Sequence, residues 1–174
     1  VDLVSFIGIP VCRVFERIFV NICCILPSNH PSQLHGNTLE FFSRAIVIFS
    51  VMEFRVQLSD VMDLLVRLSL IGNPSEMKRN NLEVIQMVLE TGHNVGELLE
   101  DSLLSIVRII QAVEQIQSHK TRMQQARGIA PPVIGGSNDD VLAKNVDLSI
   151  SFIESTVVWS DESLTFLVLA YSQY

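Results

Sequence analysis

Leu99, Leu103, Ile106, Ile110 and Val113 recur at alternating steps of four and three residues. Residues spaced this way share one side of an α-helix, and no strand would hold them on one face. The alternation is that of a coiled-coil seam. A second pattern repeats along the chain. Asn37, Asn73 and Asn94 each precede a Glu by three residues (Glu40, Glu76, Glu97), and Ser137 precedes Asp140 in the same way. A side-chain oxygen at the start of a helix accepts from an orphan amide of the first turn, and an acid three residues on favours the positive end of the helix dipole. Pro74 stands where a first helical residue has no use for its N–H. Gly72, Gly92 and Gly128 stand where helices stop.

These signals predict an all-α chain, a bundle of five or six helices with a long central hydrophobic helix. A helix is expected over 10–25, with a polar stripe of Arg13, Arg17 and Asn21 and little else to face water. Residues 26–36 read as a loop. The central helix is expected over 38–71, its narrow wet face marked by Glu53, Gln57, Asp60, Asp63 and Arg67. A third runs over 74–91 with Leu82, Ile85 and Leu89 buried, and a fourth over 95–127. Residues 130–138, rich in Pro and Gly, connect to a fifth helix over 139–155 with Leu142, Val146, Ser149 and Ile153 on one face. Ser160, Asp161 and Glu162 open a sixth short helix in preference to a hairpin. The chain reads as a single domain: 1–36 an apolar helix and loop, 37–128 the core, 129–138 a linker, 139–174 a C-terminal helical segment.

Charge narrows the partners. The formal net charge is -7, so a duplex DNA partner is excluded for the body of the chain. The one basic stretch, with Lys120, Arg122 and Arg127, follows a helix and answers its dipole. Three cysteines, Cys12, Cys23 and Cys24, make no disulfide framework. Cys23 and Cys24 read as buried thiols, with lipidation beside an amphipathic helix as the sharper alternative. Reduced thiols point to an intracellular compartment. No secretory signal is recognisable in the first apolar run. The start at Val1 is compatible with a processed product or a piece of a longer chain.

Catalytic chemistry is not legible. His30 and His35 have the gap of a zinc-finger pair, but Cys23 and Cys24 are adjacent rather than spaced, so no metal is expected. The chain carries no Gly-rich phosphate loop; Gly135 and Gly136, ahead of a helix start, read as a flexible connection rather than an anion site. Asp60 with Asp63 and Glu100 with Asp101 are the acid pairs, and solvated charge is their ordinary reading. No catalytic residue, cofactor or metal is assigned, and the chain is expected not to be an enzyme.

Hydropathy supplies the remaining constraint. The hydrophobic set makes up 48% of the residues, charged residues only 18%, and the mean hydropathy is +0.37. A spanning helix needs about 20 apolar residues with few charges, and charge or proline breaks every long apolar run here. The surplus lies in the first 26 residues and in the aromatic C-terminal end, and the two ends are expected to share one aromatic-rich layer. The interaction candidates are Phe15, Phe19, Ile22, Trp159, Phe166 and Tyr171. The expectation is a protein that associates with proteins, as a self-assembling structural subunit whose partners are its own copies or other subunits. The alternative is a helical bundle held at a membrane surface by its N-terminal segment.

Overall fold

The computed structural model describes residues 32–73, 76–126 and 137–172. These residues form six α-helices and no strand: α1 (Ser32–Val51), α2 (Arg55–Leu68), α3 (Arg79–Val95), α4 (Leu103–Ala126), α5 (Ser137–Ser155) and α6 (Asp161–Ser172). The expected helix over 10–25 lies outside the described residues, as do Cys12 and His30. The expected loop over 26–36 gives way to helix from Ser32 onward.

The single helix expected over 38–71 is two helices. α1 ends in a Schellman turn: Phe54 N–H donates to the Phe49 carbonyl (2.9 Å) and Glu53 N–H to the Ser50 carbonyl (3.3 Å). The apolar contact that accompanies such a turn is present, with the Phe49 and Phe54 rings 6.1 Å apart. The residue at the left-handed position is ordinarily Gly; here it is Glu53, at φ 58°. Hence no Gly or Pro announces the break. α2 ends in a similar way at Leu70 (φ 53°), whose N–H donates to the Arg67 carbonyl.

The start of α3 also moves. Asn73 does not open it, and Pro74 lies outside the described residues; the helix begins at Arg79. Asn81 sets this start, since its Oδ1 accepts from Lys78 N–H (2.8 Å) and its Nδ2 donates to the Leu68 carbonyl (2.6 Å). One side chain thereby ties the end of α2 to the first turn of α3. Asn37 and Asn94 fall inside helices and cap nothing. Ser160 does open α6: its Oγ accepts from Ser163 N–H at 3.3 Å. The stretch before it, Thr156–Val158, is a 3₁₀ turn and not extended chain.

The core centres on α3, α4 and α5 rather than on a long second helix. Leu99, Leu103, Ile106, Ile110 and Val113 are all buried, and so are Val107 and Ile109. α4 is therefore buried over more of its circumference than a two-position seam. Leu82, Ile85 and Leu89 are buried on α3. The broadest packing is between α3 and α5, and two glycines shape it. A Cβ on Gly96 would stand 2.5 Å from Trp159 Cζ2 and 3.1 Å from Phe152 Cε2. A Cβ on Gly92 would stand 2.5 Å from Ile106 Cδ1 and 3.4 Å from Phe152 Cε2. The two glycines, one turn apart, form a notch at the C-terminal end of α3. Phe152 is buried there, with the Trp159 ring edge-on at 5.5 Å.

The notch fixes the rotation of α5. Its buried face is Leu142, Asn145, Ser149 and Phe152, whereas the expected face held Val146 and Ile153. Val146 is half-buried and Ile153 is exposed. Asn145 is carried inside, where its Nδ2 donates to the Leu82 carbonyl (3.0 Å) and its Oδ1 finds no partner. An unmade hydrogen bond of that kind costs about 1–3 kcal/mol. The burial of a phenylalanine, at about 1.5–3 kcal/mol, offsets it.

Gly96→Ala is expected to destabilise the fold by about 1–3 kcal/mol, because the rigid indole has no way to yield without leaving Phe152. Gly92→Ala should cost less, since its tightest neighbour is the free end of the Ile106 side chain. Denaturant midpoints, with the emission of Trp159, the chain's single tryptophan, distinguish the two. Glu53→Gly should raise stability by up to about 1 kcal/mol in the same assay, by relieving a left-handed backbone.

Candidate interaction surfaces

Besides an open cleft between α1 and α3, walled by Glu40, Arg79, Glu83 and Glu90, the described surface offers a groove and two aliphatic faces. The groove lies where the α1–α2 elbow meets the turn between α3 and α4, and encloses about 320 Å³. That turn consists of two 3₁₀ segments, Gly96–Leu98 and Glu100–Ser102. Gly96 opens it because the Trp159 ring occupies the space a side chain would need. Glu100 sits at φ 44°, so two glutamates in left-handed backbone, Glu53 and Glu100, line the same groove. Arg55, the first residue of α2, holds the two sides together, its Nη2 lying 2.9 Å from Glu100 Oε1 and 2.8 Å from Oε2. Both partners touch water, so the pair contributes no more than about 1 kcal/mol.

Glu53, Asp60 and Asp101 also line the groove and make it acidic, with Val56 and Leu98 as its aliphatic walls. Neither His93 nor His119 lies there. Among the described residues no group of three or more His, Cys, Asp or Glu side chains is arranged to hold a metal ion. Of the acid pairs in the sequence, Asp60 and Asp63 are exposed on α2, and Glu100 is engaged by Arg55. Lys120, in the basic stretch, pairs with Asp139 and joins the far half of α4 to the first turn of α5. Arg127, Gly135 and Gly136 lie outside the described residues.

On α1 and the elbow, Val47, Ile48, Val51, Met52 and Val56 are exposed. The first four stand at i, i+1, i+4 and i+5, one stripe of the helix. Toward the C-terminus, Ile150, Ile153, Val157, Val158, Val168, Leu169 and Tyr171 are exposed. Val157 and Val158, in the 3₁₀ turn after α5, are 82% and 85% exposed. No described helix is long and apolar enough to cross a membrane.

The sequence candidates fare unequally. Phe15, Phe19, Ile22, Cys23 and Cys24 lie outside the described residues. Trp159 and Phe166 are half-buried and pack against the core, so most of their apolar surface is used within the fold. Tyr171 is 38% exposed. Burial raises the pKa of its phenol above 10, and the carboxylate of Glu114 adds to the rise. The ring pairs Phe41–Phe42, Phe49–Phe54 and Phe152–Trp159 each lie within one end of the chain. Sequence reasoning missed Ile150, Ile153, Val157 and Val158 as surface residues. Val157 and Val158 were visible as an adjacent β-branched pair, but their exposure follows from the rotation of α5.

A raised phenol pKa has a definite linkage sign. Below pH 10 the folded and unfolded chains both keep the proton, and the contribution is fully present. As pH rises from 10 through the folded value, the unfolded chain ionises first and stability is lost. In a Tyr174→Phe background, absorbance at the phenolate band should show Tyr171 titrating above 10, and Glu114→Gln should lower that value. A midpoint at or below 10 would contradict the placement. No protein-family model matches the chain, and no curated protein or solved structure was found to be similar to it.

Proposed function

We propose that the protein is a non-enzymatic helical subunit that associates with other protein subunits, copies of itself first, through the aliphatic surface of its C-terminal third. The observation that carries this reading is the cluster of seven exposed large hydrophobics between Ile150 and Tyr171. Isolated exposed Val or Leu residues are ordinary; a concentration of this kind within one short segment marks an interface. Closed homo-oligomers are the commonest assemblies of soluble chains.

Charge favours a protein partner over a lipid one. Residues 137–172 hold six acids (Asp139, Asp140, Asp147, Glu154, Asp161, Glu162) and one lysine. That lysine, Lys144, is 2.9 Å from Glu90. Helices that lie on anionic membranes carry Lys and Arg beside their apolar face. An acidic rim is repelled by the same surface. The competing reading, attachment to a membrane, then rests on the N-terminal segment rather than on this face.

Light scattering over a range of concentrations should give a mass above the 19.5 kDa of the single chain. Val157→Asp combined with Val158→Asp should return it toward that value, with the helical circular dichroism unchanged because both side chains already face water. A clean monomer at high concentration overturns the proposal. Flotation of the intact chain with anionic and zwitterionic vesicles, lost when residues 1–26 are removed, would establish the membrane reading instead.

A further inference from the structure

The outermost helix, α6, has an unusual composition for its place. Its inner side packs on α4 and on the Glu100–Ser102 turn, with Ser163, Leu167 and Ala170 buried. Its outer side is Thr165, Val168, Leu169 and Ser172, all exposed and spaced i, i+3, i+4 and i+7. Val168 is 66% and Leu169 53% exposed. From Ser163 to Ser172 the helix contains no Asp, Glu, Lys or Arg. A surface helix ordinarily carries charge on its outer face. Here the acids are confined to the first turn, at Asp161 and Glu162.

We infer that this outer face pairs with the same face of a second copy, the two α6 helices running antiparallel about a two-fold axis close to Val168. The inference rests on the self-association proposed above and names its contact. Charge placement selects both the partner and the direction. A stripe of two hydroxyls flanking two aliphatics is self-complementary: it neither demands nor offers a countercharge, so a second copy meets it without burying an unpaired ion. In a parallel pair, helix axes 8–10 Å apart would bring Asp161 and Glu162 of both copies level. In the antiparallel pair the two acidic ends stand about 20 Å apart along the axis, at about 1.5 Å per residue. That is beyond the ~8 Å screening length at physiological ionic strength. The antiparallel contact thus buries Val168 and Leu169 of both copies while holding the two acidic first turns apart. The contact is isologous, so it closes as a dimer. The exposed Ile150, Ile153, Val157 and Val158, at the end of α5 and in the turn before α6, extend the same contact.

The test uses the full chain with Cys12, Cys23 and Cys24 replaced by Ser, and one cysteine placed on α6. Under mild oxidation Val168→Cys should form a disulfide-linked dimer, because residues at a two-fold axis approach within disulfide reach. Glu162→Cys should not, because its counterpart lies at the opposite end of the contact. Val168→Asp should weaken association at least about tenfold by light scattering, with helical content unchanged. Crosslinking of Glu162→Cys as readily as Val168→Cys overturns the antiparallel arrangement. Persistent association of the parent chain without crosslinking at 168, or unaffected by Val168→Asp, places the contact elsewhere and overturns this inference while leaving self-association intact. A monomeric parent chain removes both.

Discussion

The fold depends on the contact between two glycines at the end of α3 and two aromatic rings that follow them by some sixty residues. Gly92 and Gly96 leave a notch that Phe152 enters and Trp159 closes. Each ring brings a large apolar area out of water, and the flat surface of a glycine pair lets α5 approach α3 more closely than side chains would permit. The same contact governs the turn after α3. With Trp159 standing where a side chain of residue 96 would be, the chain leaves the helix there and reaches α4 through two short 3₁₀ turns. Glu97 reinforces the junction, since its carboxylate accepts from Ser160 N–H at 2.9 Å and its carbonyl accepts from Ser163 Oγ. The start of α6 is thereby attached to the end of α3.

The surface follows from the core. Once Phe152 is seated, the other residues of α5 have no freedom of rotation. Asn145 goes inside with an unpartnered oxygen, and Ile150 and Ile153 go outside. A helix rotated by one position would have buried Ile153 and Val146 in place of Phe152 and Asn145, a better hydropathic match and a poorer fit of shape. Shape prevails because an aromatic ring fills the glycine notch and a branched aliphatic chain does not. The aliphatic surface assigned to association is thus a consequence of how the interior packs. It is not an apolar stripe that periodicity alone would locate.

Two of the three described residues in left-handed backbone lie close to the glycine notch, one of them in the turn that Gly96 opens. Glu53 and Glu100 adopt left-handed backbone on facing sides of the elbow groove, and Arg55 bridges to the second of them. The Schellman turn at Glu53 is held by its two backbone hydrogen bonds and by the Phe49–Phe54 contact, which together outweigh the strain of about 1–2 kcal/mol. This break separates α1 from α2 and brings the start of α2 against the turn that precedes α4. Without it, a single helix of more than thirty residues would have no means of folding back on the core.

Helical periodicity was legible from the residues alone. The spacing of Leu99 to Val113, the apolar positions Leu82, Ile85 and Leu89, and the serine and acids at Ser160–Glu162 determined that the chain is all-α and where much of α3, α4 and α6 lies, because a 3.6-residue period and a cap are local properties. The elbow at Glu53 was not legible: a left-handed residue there is Glu rather than Gly, and only the contact of Phe49 with Phe54 makes it tenable. Nor was the start of α3, which Asn81 sets by reaching the end of another helix. The tertiary structure also decided which apolar residues face water. Local pattern specifies that a helix has an apolar side, but which neighbour it meets, and at what rotation, is set by the shapes of residues distant in sequence. Here those are a pair of glycines and the rings that fit between them.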